Sequence, residues 1–226
     1  MDLSSEFLRG AARRTFSDRR EAGRVLAGEL AAYRERDRLL VLGLARGGVS
    51  VGWQVATALQ APLDVFVVRK LGVPRWSELA MGALASGGGV VLNDNVLSGL
   101  CIDNDQVRAV IDRETAELAR REQAYRRRRP AIDPHDKTVI LVDDGIATGA
   151  SMLAAVRALR AVGPEAVVVA VPVGPPSACQ QLSHEADDVV CAMMPSDFDA
   201  VGQMFVDFHQ MSDDEVCELL DTPTSG

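Results

Sequence analysis

The chain has 226 residues, 47% hydrophobic and 4% aromatic, enough to bury one full core with decorations. A formal net charge of −8 argues against a general role on nucleic acid or an anionic membrane surface. Cys101, Cys179, Cys191 and Cys217 show no C-x-x-C spacing, the first twenty residues carry Glu6, Arg9, Arg13, Arg14 and Asp18, and no apolar stretch is long enough to span a membrane, so a reduced, cytoplasmic chain without structural zinc or secretory leader is expected.

In chain order, Asp18-x-x-Glu21 reads as a capping box, with Ala22, Val25, Leu26 and Leu30 at helical spacing behind it. Leu39 to Leu44 reads as a buried strand, followed by Ala45-Arg46-Gly47-Gly48 and a helix from about Val49 to Leu59. Leu63 to Val68 reads as a second strand that ends in Arg69-Lys70. From Leu71 to Leu92 the chain carries Pro74 and the consecutive glycines Gly87 to Gly89 around two short apolar runs, a pattern that predicts a mobile loop and a hairpin outside the core. Asn104 to Arg129 is a highly charged helix with a thin apolar stripe, Val107, Val110, Ile111, Leu118 and Tyr125. Glu117 and Arg121, and Glu122 and Arg126, stand four apart in the order that favours ion pairs, and Pro130 and Pro134 close the element. Ala166 to Val171 and Asp187 to Cys191 read as strands, and Ser212 to Leu220 as a terminal helix. Strands alternating with helices imply a parallel sheet.

The segment between these elements that carries chemistry is VILVDDGIATGAS, Val139 to Ser151. Its apolar run is a buried strand, and a buried strand tolerates charge only at its end, so Asp143 and Asp144 project from the carboxyl edge of the sheet. Gly145 to Ser151 is a tight loop feeding a helix with Leu153, Val156 and Leu159 on one face. Such a loop offers unpaired N–H groups and the positive end of a helix dipole to an anion. The expectation is a cradled phosphate, with the two carboxylates taking hydroxyls or a metal.

This segment closely resembles the phosphoribosyl pyrophosphate signature of the type I phosphoribosyltransferases: four apolar residues, two acids, and a small, hydroxyl-rich loop. Gly145 departs from the aliphatic residue usual there, and a glycine is expected to loosen the loop. Ala45-Arg46-Gly47-Gly48 is similar to the family's pyrophosphate loop, Arg69-Lys70 falls where members place a cation near the pyrophosphate, and Leu71 to Gly82 lies where they carry a flexible catalytic loop. The resemblance runs in order from about Leu39 to Val173, and "ELARREQAYRRRRP" and "FVDFHQMSDDEV" resemble a bacterial subgroup of uncharacterised members.

The resemblance implies an open twisted parallel sheet flanked by helices, an α/β fold, in one domain: a core of about 37–192, a helical insertion of about 103–130, and a small hood from 1–36 and 193–226. The insertion would cover one face or mediate self-association, and a homodimer is implied. The implied reaction moves a 5-phosphoribosyl group from phosphoribosyl pyrophosphate to a nucleobase or similar nitrogen acceptor, as in nucleotide salvage, with Mg2+ as cofactor. Arg46, Lys70, Asp143 and Asp144 would be catalytic. Ala45, Gly47, Gly48, Arg69, Ala147, Thr148, Gly149, Ala150 and Ser151 would bind substrate, and Asp143 and Asp144 would meet the metal directly or through water. A lid is required to keep water from the oxocarbenium-like transition state, and Val73 to Leu84, flanked by Gly72, Pro74 and Gly82, is the candidate. Members that act on 6-oxopurines carry an acid where Ala147 stands, which disfavours hypoxanthine or guanine; Asp-Asp-x-x-Ala-Thr-Gly is closer to the adenine-type enzymes.

Other readings compete. The acid pair alone would also serve as a polar strand cap. A phospho-accepting receiver domain expects an isolated aspartate on a middle strand, where this chain has Arg46 or Arg69-Lys70. A dinucleotide fold lacks its G-x-G-x-x-G. Arg126 to Arg129 suits a solvated helix end better than a nucleic-acid contact. Trp53 is expected in the core or a subunit interface, and Trp76 in the lid. Phe198, Phe205 and Phe208, with His209 nearby, would line an acceptor pocket or pack a small cap. A non-catalytic protein that binds phosphoribosyl pyrophosphate or a nucleotide as a regulatory signal is the alternative from a different class.

Overall fold

The computed structural model describes residues 15–127 and 129–224. Its strands are β1 (Leu39–Leu44), β2 (Leu63–Phe66), β3 (Val68–Val73), β4 (Trp76–Ala85), β5 (Val90–Leu92), β6 (Thr138–Val142), β7 (Ala166–Val173) and β8 (Asp188–Met193). Its α-helices are α1 (Arg19–Glu29), α2 (Gly47–Leu59), α3 (Asp94–Gly99), α4 (Asn104–Arg126), α5 (Ala150–Arg160), α6 (Pro176–Leu182) and α7 (Asp213–Asp221). Residues 1–14 of the expected amino-terminal hood segment, and Arg128 of the arginine run, lie outside the described residues.

The runs LLVLGL, TVILV and AVVVAVPV become strands because both of their faces are covered, which only a parallel sheet between two helical layers provides. The open sheet is entirely parallel, in the order β2-β1-β6-β7-β8. Alternate residues divide between the layers. Leu40, Leu42, Val139, Leu141, Val167 and Val169 face α5 and α6, while Leu39, Val41, Ile140, Val142, Val168 and Ala170 face α1 and α2. Each fully buried aliphatic side chain stabilises the fold by roughly 1.5–3 kcal/mol. α1 is part of this covering layer: Leu26, Ala27 and Leu30 pack with Val51 and Val55 of α2. The Asp18 side chain accepts from the Glu21 amide, but Glu21 reaches back to the Ser17 amide and hydroxyl, one residue beyond the box the sequence predicts.

The segment after the second strand corrects the sequence reading. Chain pairing to β1 stops at Phe66, and Val68 begins β3 of a separate antiparallel sheet, β3-β4-β5. The hinge is Val67, whose amide donates to the Ser86 hydroxyl. Far from lying outside the core, Leu71, Val73, Met81 and Leu84 are buried and pack with Val107, Val110, Leu118 and Tyr125 of α4 and with Val216 and Leu220 of α7. The short apolar runs were too small to signal this in isolation; they become a face only when paired and covered by α4. α4 thus covers that sheet. Both expected ion pairs of α4 form, Arg121 to Glu117 at 2.9 Å and Arg126 to Glu122 at 3.2 Å.

The described arginines at this end are only partly the solvated end expected: Arg127 and Arg129 are exposed, but Arg126 is not. Arg126 is buried, its Nε donating to Asp64 and one Nη to the Val65 carbonyl, while Arg127 and Arg129 pair with Asp221 of α7. They fasten α4 to β2 and α7.

Candidate functional site

The strand order reverses between β1 and β6: the chain leaves β1 through α2 on one layer and leaves β6 through α5 on the other. At such a switch point the carboxyl ends of the strands leave a crevice flanked by two helix amino termini. β1 delivers Ala45 to Gly48 there, and β6 delivers Asp143 to Ser151.

The two loops touch. A Cβ on Gly48 would stand 2.4 Å from the Val142 carbonyl oxygen, and one on Gly47 would stand 1.9 Å from Asp144 Oδ2. Both positions are glycine because the first turn of α2 lies directly against the end of β6. The Ala45–Arg46 peptide bond is cis.

N-cap side chains close α1, α3, α4 and α7 (Asp18, Asn93, Asp103 and Ser212), whereas the N-cap residues of α2, α5 and α6 (Arg46, Gly149 and Pro175) supply no such bond. The two helices that open on the crevice therefore keep amide donors for a ligand. At α5, Gly149 takes φ +75° as the N-cap residue, a left-handed conformation that glycine adopts without strain, and Thr148 Oγ1 accepts from the Ala150 amide at 3.4 Å. Ala147, Thr148, Ala150 and Ser151 are exposed.

Asp143 and Asp144 sit half-buried between these helices. Asp143 Oδ1 accepts from the Asp144 amide at 2.9 Å, and Asp144 Oδ2 accepts from Arg19 Nε at 2.8 Å. Among the described residues no donor meets the remaining oxygen of either carboxylate. Burial, and then the neighbouring Asp144 charge, push the Asp143 carboxyl well above its ordinary range. Burial also raises Asp144, and the Arg19 guanidinium opposes that rise.

Arg19, the first residue of α1, is the site residue that the sequence did not disclose. Its Nη1 donates to the His209 carbonyl at 2.8 Å, and its guanidinium lies 4.0 Å from the centre of the Phe208 ring. A lone arginine opening an amphipathic helix has no local signature; only the fold brings it to Asp144.

The other expected residues are distributed around this centre. Arg46 points to the hood, with Nη1 3.7 Å from Asp213 Oδ1. Lys70 shares with Ala150, Ser151, Asn93 and Asp94 a cavity of about 740 Å³ between the second sheet and α5. Arg69 turns the opposite way, its Nε and Nη2 donating to Glu114 of α4 at 3.0 and 2.6 Å. Gly145 is not merely a loose point: a Cβ there would stand 2.5 Å from Val201 Cγ1, so the glycine makes room for the hood. Phe205 stacks on Phe208 at 4.8 Å and meets Phe16 at 5.5 Å, with Phe198 packed against the same small core, so the phenylalanines pack the hood itself. Trp53 is half-buried on α2, and Trp76 is 63% exposed.

No group of three or more His, Cys, Asp or Glu among the described residues is arranged to hold a metal. A magnesium ion would therefore have to arrive with a phosphorylated ligand and meet Asp143 and Asp144 through its waters, the usual habit of an ion that keeps them. No described helix is long and apolar enough to cross a membrane.

Residues 84–209 match the family model described as the phosphoribosyl transferase domain. A Mycobacterium tuberculosis H37Rv protein whose name provisionally designates it a phosphoribosyl transferase is 48% identical over 206 residues, 91% of this chain and 46% of that protein. The chain thus spans about half the length of the curated relatives it matches. The crystal structure of TT1426 from Thermus thermophilus is 43% identical and superimposes with a TM-score of 0.80, covering 91% of this chain and 97% of that one.

Proposed function

Since the chain belongs to the phosphoribosyl transferase domain family, we propose that it moves a 5-phosphoribosyl group from phosphoribosyl pyrophosphate to a nitrogen acceptor of the nucleobase kind, releasing pyrophosphate. One observation carries the reading: two uncapped helix amino termini flank two half-buried carboxylates, each of which keeps one oxygen without a donor. A donor with a phosphate at one end, a diol in the middle and a diphosphate at the other matches that sequence of groups.

In this reading the amides of Thr148 to Ser151 and the hydroxyls of Thr148 and Ser151 hold the 5-phosphate, with Gly149 and Ala150 small enough to let it approach. Asp143 Oδ2 and Asp144 Oδ1 accept from the ribose hydroxyls, and their negative charge offsets the cation that develops on the ring. The leaving pyrophosphate gathers charge as the C1–O bond stretches. The amides of Gly47 and Gly48 at the start of α2, together with Arg46 and Lys70, meet it; one preorganised donor of this kind is worth on the order of 3 kcal/mol. Magnesium, when bound with the donor, supplies further charge neutralisation at the diphosphate. Ala45 completes the turn, and Ala147 leaves the acceptor side of the loop without a carboxylate.

The protein incubated with phosphoribosyl pyrophosphate, magnesium and a panel of nucleobases should release pyrophosphate with at least one of them. Donor binding without release across the panel favours the regulatory binding protein. Absence of donor binding removes both readings.

A further inference from the structure

We infer that Arg19 is a positioning residue of the donor site, a hood-anchored cation that fixes the Asp144 carboxylate so that the acid pair presents one free oxygen from each side chain to a vicinal diol. The inference rests on the donor reading above and adds to it the group that gives the diol grip its geometry.

Arg19 is held from three separate segments. Its Nε bonds Asp144 at the end of β6, its Nη1 bonds the His209 carbonyl, and its plane lies against Phe208. The side chain is 9% exposed, so it cannot turn to water without abandoning all three. The pair is closed from the far side by α2, since a Cβ on Gly47 would stand 3.1 Å from Arg19 Nε as well as 1.9 Å from Asp144 Oδ2. A guanidinium so confined holds in place the one carboxylate oxygen it meets, Asp144 Oδ2. Asp143 is fixed independently, by the Asp144 amide.

A carboxylate with one oxygen pinned can offer the other in only one direction. Two acids pinned through Asp143 Oδ1 and Asp144 Oδ2 leave Asp143 Oδ2 and Asp144 Oδ1, one acceptor for each of two neighbouring hydroxyls. The same hood segment holds Arg46 through Asp213, so residues 209–213 anchor the two arginines that border the crevice. The opposite role is a plug: Arg19 would occupy Asp144 and would have to leave before the sugar enters. The two roles predict opposite signs.

The test compares the intact protein with Arg19→Gln, and with Arg19→Lys, by calorimetric titration with ribose 5-phosphate and with 2-deoxyribose 5-phosphate, which keeps the phosphate handle but lacks one hydroxyl. Positioning predicts that Arg19→Gln weakens ribose 5-phosphate about tenfold, that Arg19→Lys falls between, and that the loss is clearly smaller for the deoxy sugar. Equal losses for both sugars mean a merely structural arginine and overturn the inference, as does tighter binding by Arg19→Gln, which identifies a plug. If the parent protein binds neither sugar, the donor reading itself has failed. Should Arg19→Gln not fold, Phe208→Leu loosens the guanidinium while leaving its ion pair. Selective weakening of ribose 5-phosphate then supports positioning, and equal weakening of both sugars, or none, overturns it.

Discussion

Asp144 meets a guanidinium at 2.8 Å, whereas its neighbour Asp143 meets only a backbone amide. The two acids therefore stand in different energetic positions. Asp143 is a carboxylate that burial and the Asp144 charge disfavour, so above the unfolded carboxyl range near pH 4 its ionisation opposes folding. Asp143→Asn should raise stability at neutral pH by about 1 kcal/mol, and the gain should vanish near pH 3, where both states are protonated. Burial raises Asp144 as well, with Arg19 opposing the rise, so Asp144→Asn removes a smaller penalty and also takes the counter-charge from Arg19; it should gain less than Asp143→Asn. Urea unfolding of the two variants at neutral pH checks the order; a larger gain for Asp144→Asn would contradict this account.

Gly47 has no room for a methyl group, because the Cβ position falls within 1.9 Å of Asp144 Oδ2. Gly47→Ala must push the first turn of α2 away from the end of β6, or displace Asp144 from Arg19. Ribose 5-phosphate binding should drop by more than tenfold, about the cost of one good hydrogen bond, while the circular dichroism spectrum is retained. Unchanged binding would show that the contact between the two loops is dispensable.

Much of this arrangement was legible in the sequence. Continuous aliphatic runs announced β1, β6 and β7, since a strand buried on both faces needs no alternation, and the acids at Asp143 and Asp144 marked the end of one. What failed was non-local. Leu71, Met81 and Leu84 lie in short, glycine-rich runs whose burial depends on a helix that begins after residue 100, and Arg126 is buried because Asp64, far away in sequence, awaits it. Arg19 was invisible for the same reason: its partner is 125 positions along the chain.

The hairpin of β3 and β4 combines a packed base with an exposed tip. Met81 is fully buried in the base, while Trp76 at the tip is 63% exposed and follows Arg75, which takes φ +69° in the turn. Trp76→Ala should leave stability within about 0.5 kcal/mol, and Met81→Ala should cost about 2–5 kcal/mol. If the tip closes over the site, Trp76→Ala lowers turnover well beyond any change in donor affinity, which steady-state kinetics and calorimetric titration separate; equal losses in both would refute a lid.

Tyr125 ties α4 to the hood, its hydroxyl donating to Asp213 Oδ1 at 3.0 Å, the same oxygen that Arg46 approaches. Burial, and then the hydrogen bond and charge of Asp213, push the phenol up to about 12, from an ordinary value near 10. Between those values the folded protein keeps a proton that the unfolded chain has lost, so stability falls as the pH rises through this window; the contribution is complete below about pH 10 and gone above about pH 12. Tyr125→Phe lacks both the bond and the titration. It should be less stable than the parent by about 1 kcal/mol near pH 9, and that deficit should shrink by about pH 11.5 as the parent loses what the variant never had. Tyr33, also raised to about 12, titrates in both proteins and cancels in the comparison. Urea midpoints at the two pH values decide the matter: a deficit that stays constant would mean that the link between α4 and α7 does not depend on the Tyr125 proton.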